Sequence, residues 1–134
     1  MPPLESHPTT SFKLKRVPAI GVLNPVFDLD LGDDGAPQLL EDSAELAQAL
    51  TLRLLMVVGE AWEDPACGLP WLQLRGMRPG SRELVMYLVL AQLQKEPRVR
   101  QVQSLSVDVD QRTRRVSVTA YVITRDGSKV KVEL

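Results

Sequence analysis

The sequence predicts an α+β fold: an N-terminal hairpin, two helices and a C-terminal three-stranded β-meander sharing one core. Three observations predict it. Leu46, Leu50, Leu54 and Val58 recur every four residues, and Leu84–Leu93 is almost wholly apolar, so both stretches read as helices. Leu105, Val107 and Val109 alternate with Ser104, Ser106, Asp108 and Asp110, and Val116, Val118, Ala120 and Val122 repeat the pattern. That is the period of a half-buried strand. Asp126-Gly127 then marks a hairpin, because both turn residues tolerate positive φ.

A chain of 134 residues suits one domain with a moderate core. Its 44% hydrophobic and 25% charged residues are ordinary for a globular protein. The net charge of −1 provides no global field for nucleic acid or an anionic membrane, so neither is expected as a partner. Cys67 is the single cysteine, which rules out an internal disulfide. Met1–Ser11 has no apolar centre and does not read as a secretory signal. The apolar runs Leu54–Val58 and Leu84–Ala91 are too short to span a bilayer.

Met1–Asn24 holds Pro2, Pro3, Pro8 and Pro18 and has no steady periodicity. It reads as a flexible or partner-bound arm over residues 1–24, ahead of a single α+β domain over 25–134. A Pro-containing segment loses less entropy when it orders along a partner. Lys13, Lys15 and Arg16 form a short basic patch, too few charges for a nucleic-acid site.

Ordered structure is expected from Pro25. Val26, Asp28 and Asp30 alternate with Phe27, Leu29 and Leu31. Gly32-Asp33-Asp34-Gly35 forms a turn, and Gln38–Glu41 returns as a second short strand. The aspartates lack the distal bidentate glutamate and ligand order of a calcium loop, so they read as the polar rim of a hairpin.

Asp42 caps the first helix, with Glu45 closing a capping box and Gly59 as its stop. The second helix follows Pro79-Gly80, with Ser81 as cap and Glu83 in the first turn, where the helix dipole favours it. A helix this apolar must be covered on most sides. Pro97 lacks an N–H and disfavours helical geometry at Glu96, so the helix ends near Lys95. Glu96 and Arg98 then flank a rigid corner, able to pair with each other or to fork onto a partner. Beyond the Asp126-Gly127 turn, Ser128–Leu134 returns as a strand with an open edge. Val130, Val132 and Leu134 set its register by sharing one face.

Between the helices lie Glu60, Trp62, Glu63, Asp64, Cys67, Gly68 and Trp71. The two tryptophans read as pins holding the loop to the core. Paired acids such as Glu60 and Asp64 invite a glycosidase reading, one acid protonated and one ionised. Cys67 has no ordered base, since His7 is the only histidine and lies in the arm, so it reads as an inert buried thiol. One Cys and one His cannot fill a zinc site, and no phosphate-binding glycine loop follows a strand, so no metal or cofactor is expected.

The acidic hairpin, the helix leading to Gly59-Glu60, the Trp62–Gly68 loop, the apolar helix and Glu96-Pro97-Arg98 together resemble the contractile-tail baseplate wedge family. That family includes the lysozyme-like wedge proteins of phages, which act as sheath initiators, and a related baseplate subunit of type VI secretion systems. The resemblance covers residues 26–125, and Glu96-Pro97-Arg98 is its best marker. Cys67 departs from it, standing where the usual loop carries an aromatic or basic residue. The resemblance implies a fold like the inner domain of tail-sheath subunits and a structural, non-enzymatic role. It implies that Glu96, Pro97 and Arg98 dock on the core bundle of the baseplate wedge. It also implies that strands of the fold accept an extended sheath arm, at an edge near Ser128–Leu134, where Val130, Val132 and Leu134 set the register, or near Val116–Ile123. Several copies per baseplate are expected, six by this resemblance, in a contractile phage tail or injection system, with the virion tail baseplate assembled in the host bacterial cytoplasm. The alternative is a peptidoglycan-degrading tail lysozyme using Glu60 and Asp64.

Overall fold

The computed structural model describes residues 10–17, 26–75, 82–110, 112–113 and 115–134. The chain divides into two compact units, Met1–Gln48 and Ala49–Leu134. Two helices, the C-terminal meander and the N-terminal hairpin are all present, as the α+β reading expects.

In the first unit, β1 (Thr10–Phe12) pairs antiparallel with β4 (Leu39–Glu41), and β2 (Leu14–Val17) with β3 (Val26–Leu29). Among the described residues the first strand is β1, at Thr10–Phe12. The two registers run on from each other, Leu14 opposite Leu29 and Phe12 opposite Leu39. The segment 10–17 thus faces one interrupted strand made of β3 and β4, and residues 30–38 are pinched out between them. Lys13 closes the pinch. Its N–H donates to the Gln38 carbonyl at 2.8 Å, its carbonyl accepts from the Asp30 N–H at 2.9 Å, and its ammonium lies 2.9 Å from the Asp30 carboxylate. The pinched-out residues form the expected turn, with Leu31 bridging Pro37 and the Asp34 carboxylate accepting from the Ala36 N–H at 3.0 Å.

Helix α1 (Asp42–Leu55) starts at the expected cap, where Asp42 has φ 53°, a left-handed geometry that aspartate tolerates better than most residues. The Gln48 side chain holds the ribbon beside it. Gln48 Oε1 accepts from the Leu14 N–H at 2.8 Å, and Nε2 donates to the Phe12 carbonyl at 2.8 Å. The helix stops at Leu55, short of the predicted Val58 and Gly59. The Val58 N–H donates to Leu69 across the loop, not back along the helix, and Val57 forms a parallel bridge with Leu69. The leucine spacing holds where it is helical: Leu46, Leu50 and Leu54 are buried.

In the second unit a five-residue helix, α2 (Trp71–Arg75), interrupts the predicted loop. The predicted cap of the next helix, Ser81, lies outside the described residues, but that helix, α3 (Arg82–Gln94), ends one residue before the predicted Lys95. Val85, Val89, Gln92 and Leu93 form its buried face. From Leu84 to Leu93 only Leu84 and Tyr87 stand exposed, and the other residues are buried or half-buried.

The meander is β5 (Val99–Asp110), β6 (Arg115–Thr124) and β7 (Lys129–Glu133), in that order across the sheet. Alternation places Val107, Val118, Ala120, Val122, Val130 and Val132 on one buried face, and α3 packs against β5. Burying each such valine is worth about 1.5–3 kcal/mol. On the other face the Lys129 ammonium sits 4.6 Å from the centre of the Tyr121 ring. The turn acids Asp110 and Asp126 are both held below the usual carboxylate range, chiefly by side-chain hydrogen bonds from Thr113 and Thr124 respectively.

Candidate partner-binding site

Three features of the second unit are candidates for a partner-binding site: the corner after α3, the loop before α2 and the outer edge of β7. At the corner, the Val99 N–H returns to the Glu96 carbonyl at 3.0 Å, closing a turn around Pro97. Glu96 and Arg98 do not stand on opposite sides of it. Glu96 Oε1 accepts from both the Arg98 backbone N–H at 3.3 Å and the Arg98 Nε at 3.0 Å. Its other oxygen lies 3.9 Å from Arg53 Nη2 on α1. Only 11% of the Glu96 side chain is exposed, against 34% for Arg98. Glu96 is therefore the internal strut, and Arg98 is the member of the pair that reaches solvent. The turn between β6 and β7 clamps the other side: the Arg125 N–H donates to the Arg98 carbonyl at 3.1 Å, and the Arg125 guanidinium donates to the Pro97 carbonyl.

The loop is held as firmly. Gly59 N–H donates to Pro65, Cys67 N–H to Asp64, and Leu69 N–H to Met56, each at 2.9 Å. The buried Gln92 amide spans it from α3, accepting from the Gly68 N–H at 3.1 Å and donating to the Ala66 carbonyl at 3.1 Å. Sequence reasoning passed over Gln92, although a lone amide in an apolar run was the available signal: a buried polar group needs partners. Glu60 accepts from the Val57 N–H at 3.3 Å and Asp64 from the Ala66 N–H at 3.2 Å. The acids considered for catalysis thus hold the loop's own backbone. Cys67 is buried, as its inert reading expects. Trp71 is a pin, its Nε1 donating to the Leu54 carbonyl at 2.9 Å. Trp62 is not: 87% of it is exposed.

At the sheet edge, Val118 and Leu134 exchange backbone hydrogen bonds in both directions, and Thr124 N–H donates to Ser128. Hydrogen-bonded pairs alternate along an antiparallel ladder. Val130 opposite Val122, and Val132 opposite Ala120, therefore turn their backbone groups toward β6. The outward N–H and C=O groups belong to Lys129, Lys131 and Glu133, all with exposed side chains. Val130 and Val132 are 4% and 0% exposed, so their side chains serve the core. β6 lies between two strands, which removes Val116–Ile123 as an open edge. β5 is the other outer strand, and its register against β6 is broken twice, near Gln101 and near Ser104.

A family model described as contractile injection system sheath initiator matches residues 22–127. The chain belongs to this family, as the resemblance at Glu96-Pro97-Arg98 implied. It is a structural component of a contractile injection system, associated with sheath and baseplate components at the tail. No curated protein matches the chain.

Proposed function

We propose that this sheath initiator docks on the core bundle of the baseplate wedge through Glu96, Pro97 and Arg98, and starts the sheath by accepting an extended strand of a sheath subunit on the outer side of β7. The observation that carries the reading is the row of outward backbone groups at Lys129, Lys131 and Glu133. An incoming strand satisfies such groups in register. β7 pairs with β6 alone among the described strands. Two lysines on a five-residue edge discourage random self-pairing while leaving the backbone open. β5 is a poorer acceptor, because bulges disrupt the ladder locally. In a phage, six copies would surround the virion tail baseplate, assembled in the host bacterial cytoplasm.

Removing Ser128–Leu134 would strip Val130 and Val132 from the core, so the sharper test is Lys131→Pro. Proline deletes one outward N–H and takes nothing from the ladder with β6, and edge strands tolerate it. We expect a folded variant with near-normal circular dichroism that joins baseplates, while electron microscopy finds them without sheath. Sheath of normal length on those baseplates would move the nucleating contact away from β7.

The role is read as structural rather than enzymatic. Glu60→Gln and Asp64→Asn are expected to change only loop stability, by about 1 kcal/mol for each weakened hydrogen bond. Wild type should release no soluble fragments from purified peptidoglycan. Turnover by wild type that disappears in either variant would restore the tail-lysozyme alternative.

A further inference from the structure

Trp62 is exposed on a loop that has no freedom to bury it. The loop is closed by the Gly59–Pro65, Val58–Leu69 and Met56–Leu69 backbone bonds, and Gln92 ties Ala66 and Gly68 to α3. Trp62 lies inside this closure, with an exposed Val58 before it. Exposing an indole sacrifices the largest single burial available to a side chain, and among interface residues tryptophan is enriched as a binding anchor. The loop's other tryptophan, Trp71, already fastens α2 to α1 through its ring N–H, so Trp62 is not needed as a pin.

The charges beside it have one sign. Glu60, Glu63 and Asp64 are all exposed and flank Trp62 in sequence. Lys95, just past the end of α3, donates to the Ala66 carbonyl at 3.3 Å. Glu60 and Asp64 are turned to backbone N–H groups, which fixes where their charge sits without neutralising it. An exposed indole with exposed carboxylates on both sides of it in sequence is matched by a cation. Tryptophan is the best ring for cation–π contact, and carboxylates take a guanidinium fork or an ammonium.

We propose that the Trp62 loop is a second docking surface, distinct from the corner and from β7, and that its occupant is an arginine- or lysine-bearing segment of a neighbouring protein in the assembled apparatus. The cation lies against the indole of Trp62, with Glu63 as its countercharge. The loop's rigidity means that the surface is preformed, so binding costs little ordering of this chain. An anionic lipid surface or an acidic segment would be repelled by the same three carboxylates.

The test uses the full chain in assembled particles. A photo-crosslinking residue replaces Ala61, which leaves Trp62 in place, and crosslinked peptides are mapped by mass spectrometry. In parallel, Trp62→Ala and Glu63→Lys are scored for incorporation, with thermal unfolding as the folding control. The proposal expects crosslinks to a segment containing Arg or Lys, unchanged unfolding of both variants, and incorporation reduced at least about tenfold by each. It is overturned if position 61 gives no crosslink, if the crosslinked segment is acidic or uncharged, or if both variants incorporate fully. Failure here leaves the β7 reading intact, since Lys131→Pro tests that edge separately.

Discussion

Gly68→Ala should be the most destabilising small substitution in the second unit, costing about 3 kcal/mol or more. Two independent costs add at this position. Its φ is +104°, where an L side chain strains the backbone, typically by about 1–3 kcal/mol. A Cβ there would also stand 2.4 Å from the Met56 carbonyl oxygen and 2.8 Å from its carbon. Those atoms are backbone and accept the Leu69 N–H, so they cannot swing aside without opening the loop. Overpacking of this kind adds about 1–3 kcal/mol. Gly59 is the control: its φ is +90°, but an added Cβ meets nothing within 4 Å. Gly59→Ala should therefore show the strain alone. Thermal unfolding followed by calorimetry separates them, with a midpoint drop of more than about 10 °C expected for Gly68→Ala. Equal drops for the two variants would mean that the loop relaxes around the new methyl group.

The same loop shows what a sequence can and cannot reveal. Local, periodic features were legible. The alternation held in β6, in β7 and in β5 from Leu105 onward, because a two-residue period depends only on which face is buried; the irregularities near Gln101 and Ser104 interrupt it earlier in β5. Pro97 located the end of α3 to within one residue, because its constraint is covalent. Features set by distant partners were not legible. The leucine spacing ran on to Val58, yet α1 stops at Leu55 because a carbonyl from Leu69 takes the Val58 amide. Strands at Thr10–Phe12 and Leu14–Val17 carry no alternation strong enough to announce them. They exist because β3 and β4 line up end to end and Gln48 fastens them from α1. Both tryptophans looked alike in sequence, and only the path of the loop separates a pin at Trp71 from an exposed ring at Trp62.

The candidate site was half legible for the same reason. Glu96, Pro97 and Arg98 were found because a proline between opposite charges is a local pattern. Their division of labour was not, since Arg53 and Arg125 reach the corner from elements far along the chain. At the edge, Val130 and Val132 share the buried face. The groups available to another strand belong instead to the residues between them. Side-chain phase and backbone phase are offset along a strand, and which backbone groups point outward depends on the pairing with β6.

Arg98→Ala should then separate folding from docking. Glu96 is nearly buried and keeps the Arg98 backbone N–H and the nearby Arg53 guanidinium when the Arg98 side chain is lost. The corner itself is still closed by Val99 and clamped by Arg125. A pair that is a third exposed on the arginine side contributes about 1 kcal/mol to the fold. Docking is different, because a guanidinium at a protein interface is desolvated by the partner. Removing one member of such a contact costs about 2–5 kcal/mol, or at least about 30-fold in affinity. Arg98→Lys should rescue little of this, since an ammonium keeps the charge but lacks the planar fork of donors. Glu96→Gln should weaken docking less than Arg98→Ala, because the amide oxygen can still accept from the Arg98 backbone. Affinity for the purified core bundle, measured by titration calorimetry with circular dichroism as the folding control, orders the three variants. Wild-type affinity in Arg98→Ala would take the guanidinium out of the interface and leave the corner a purely internal clamp.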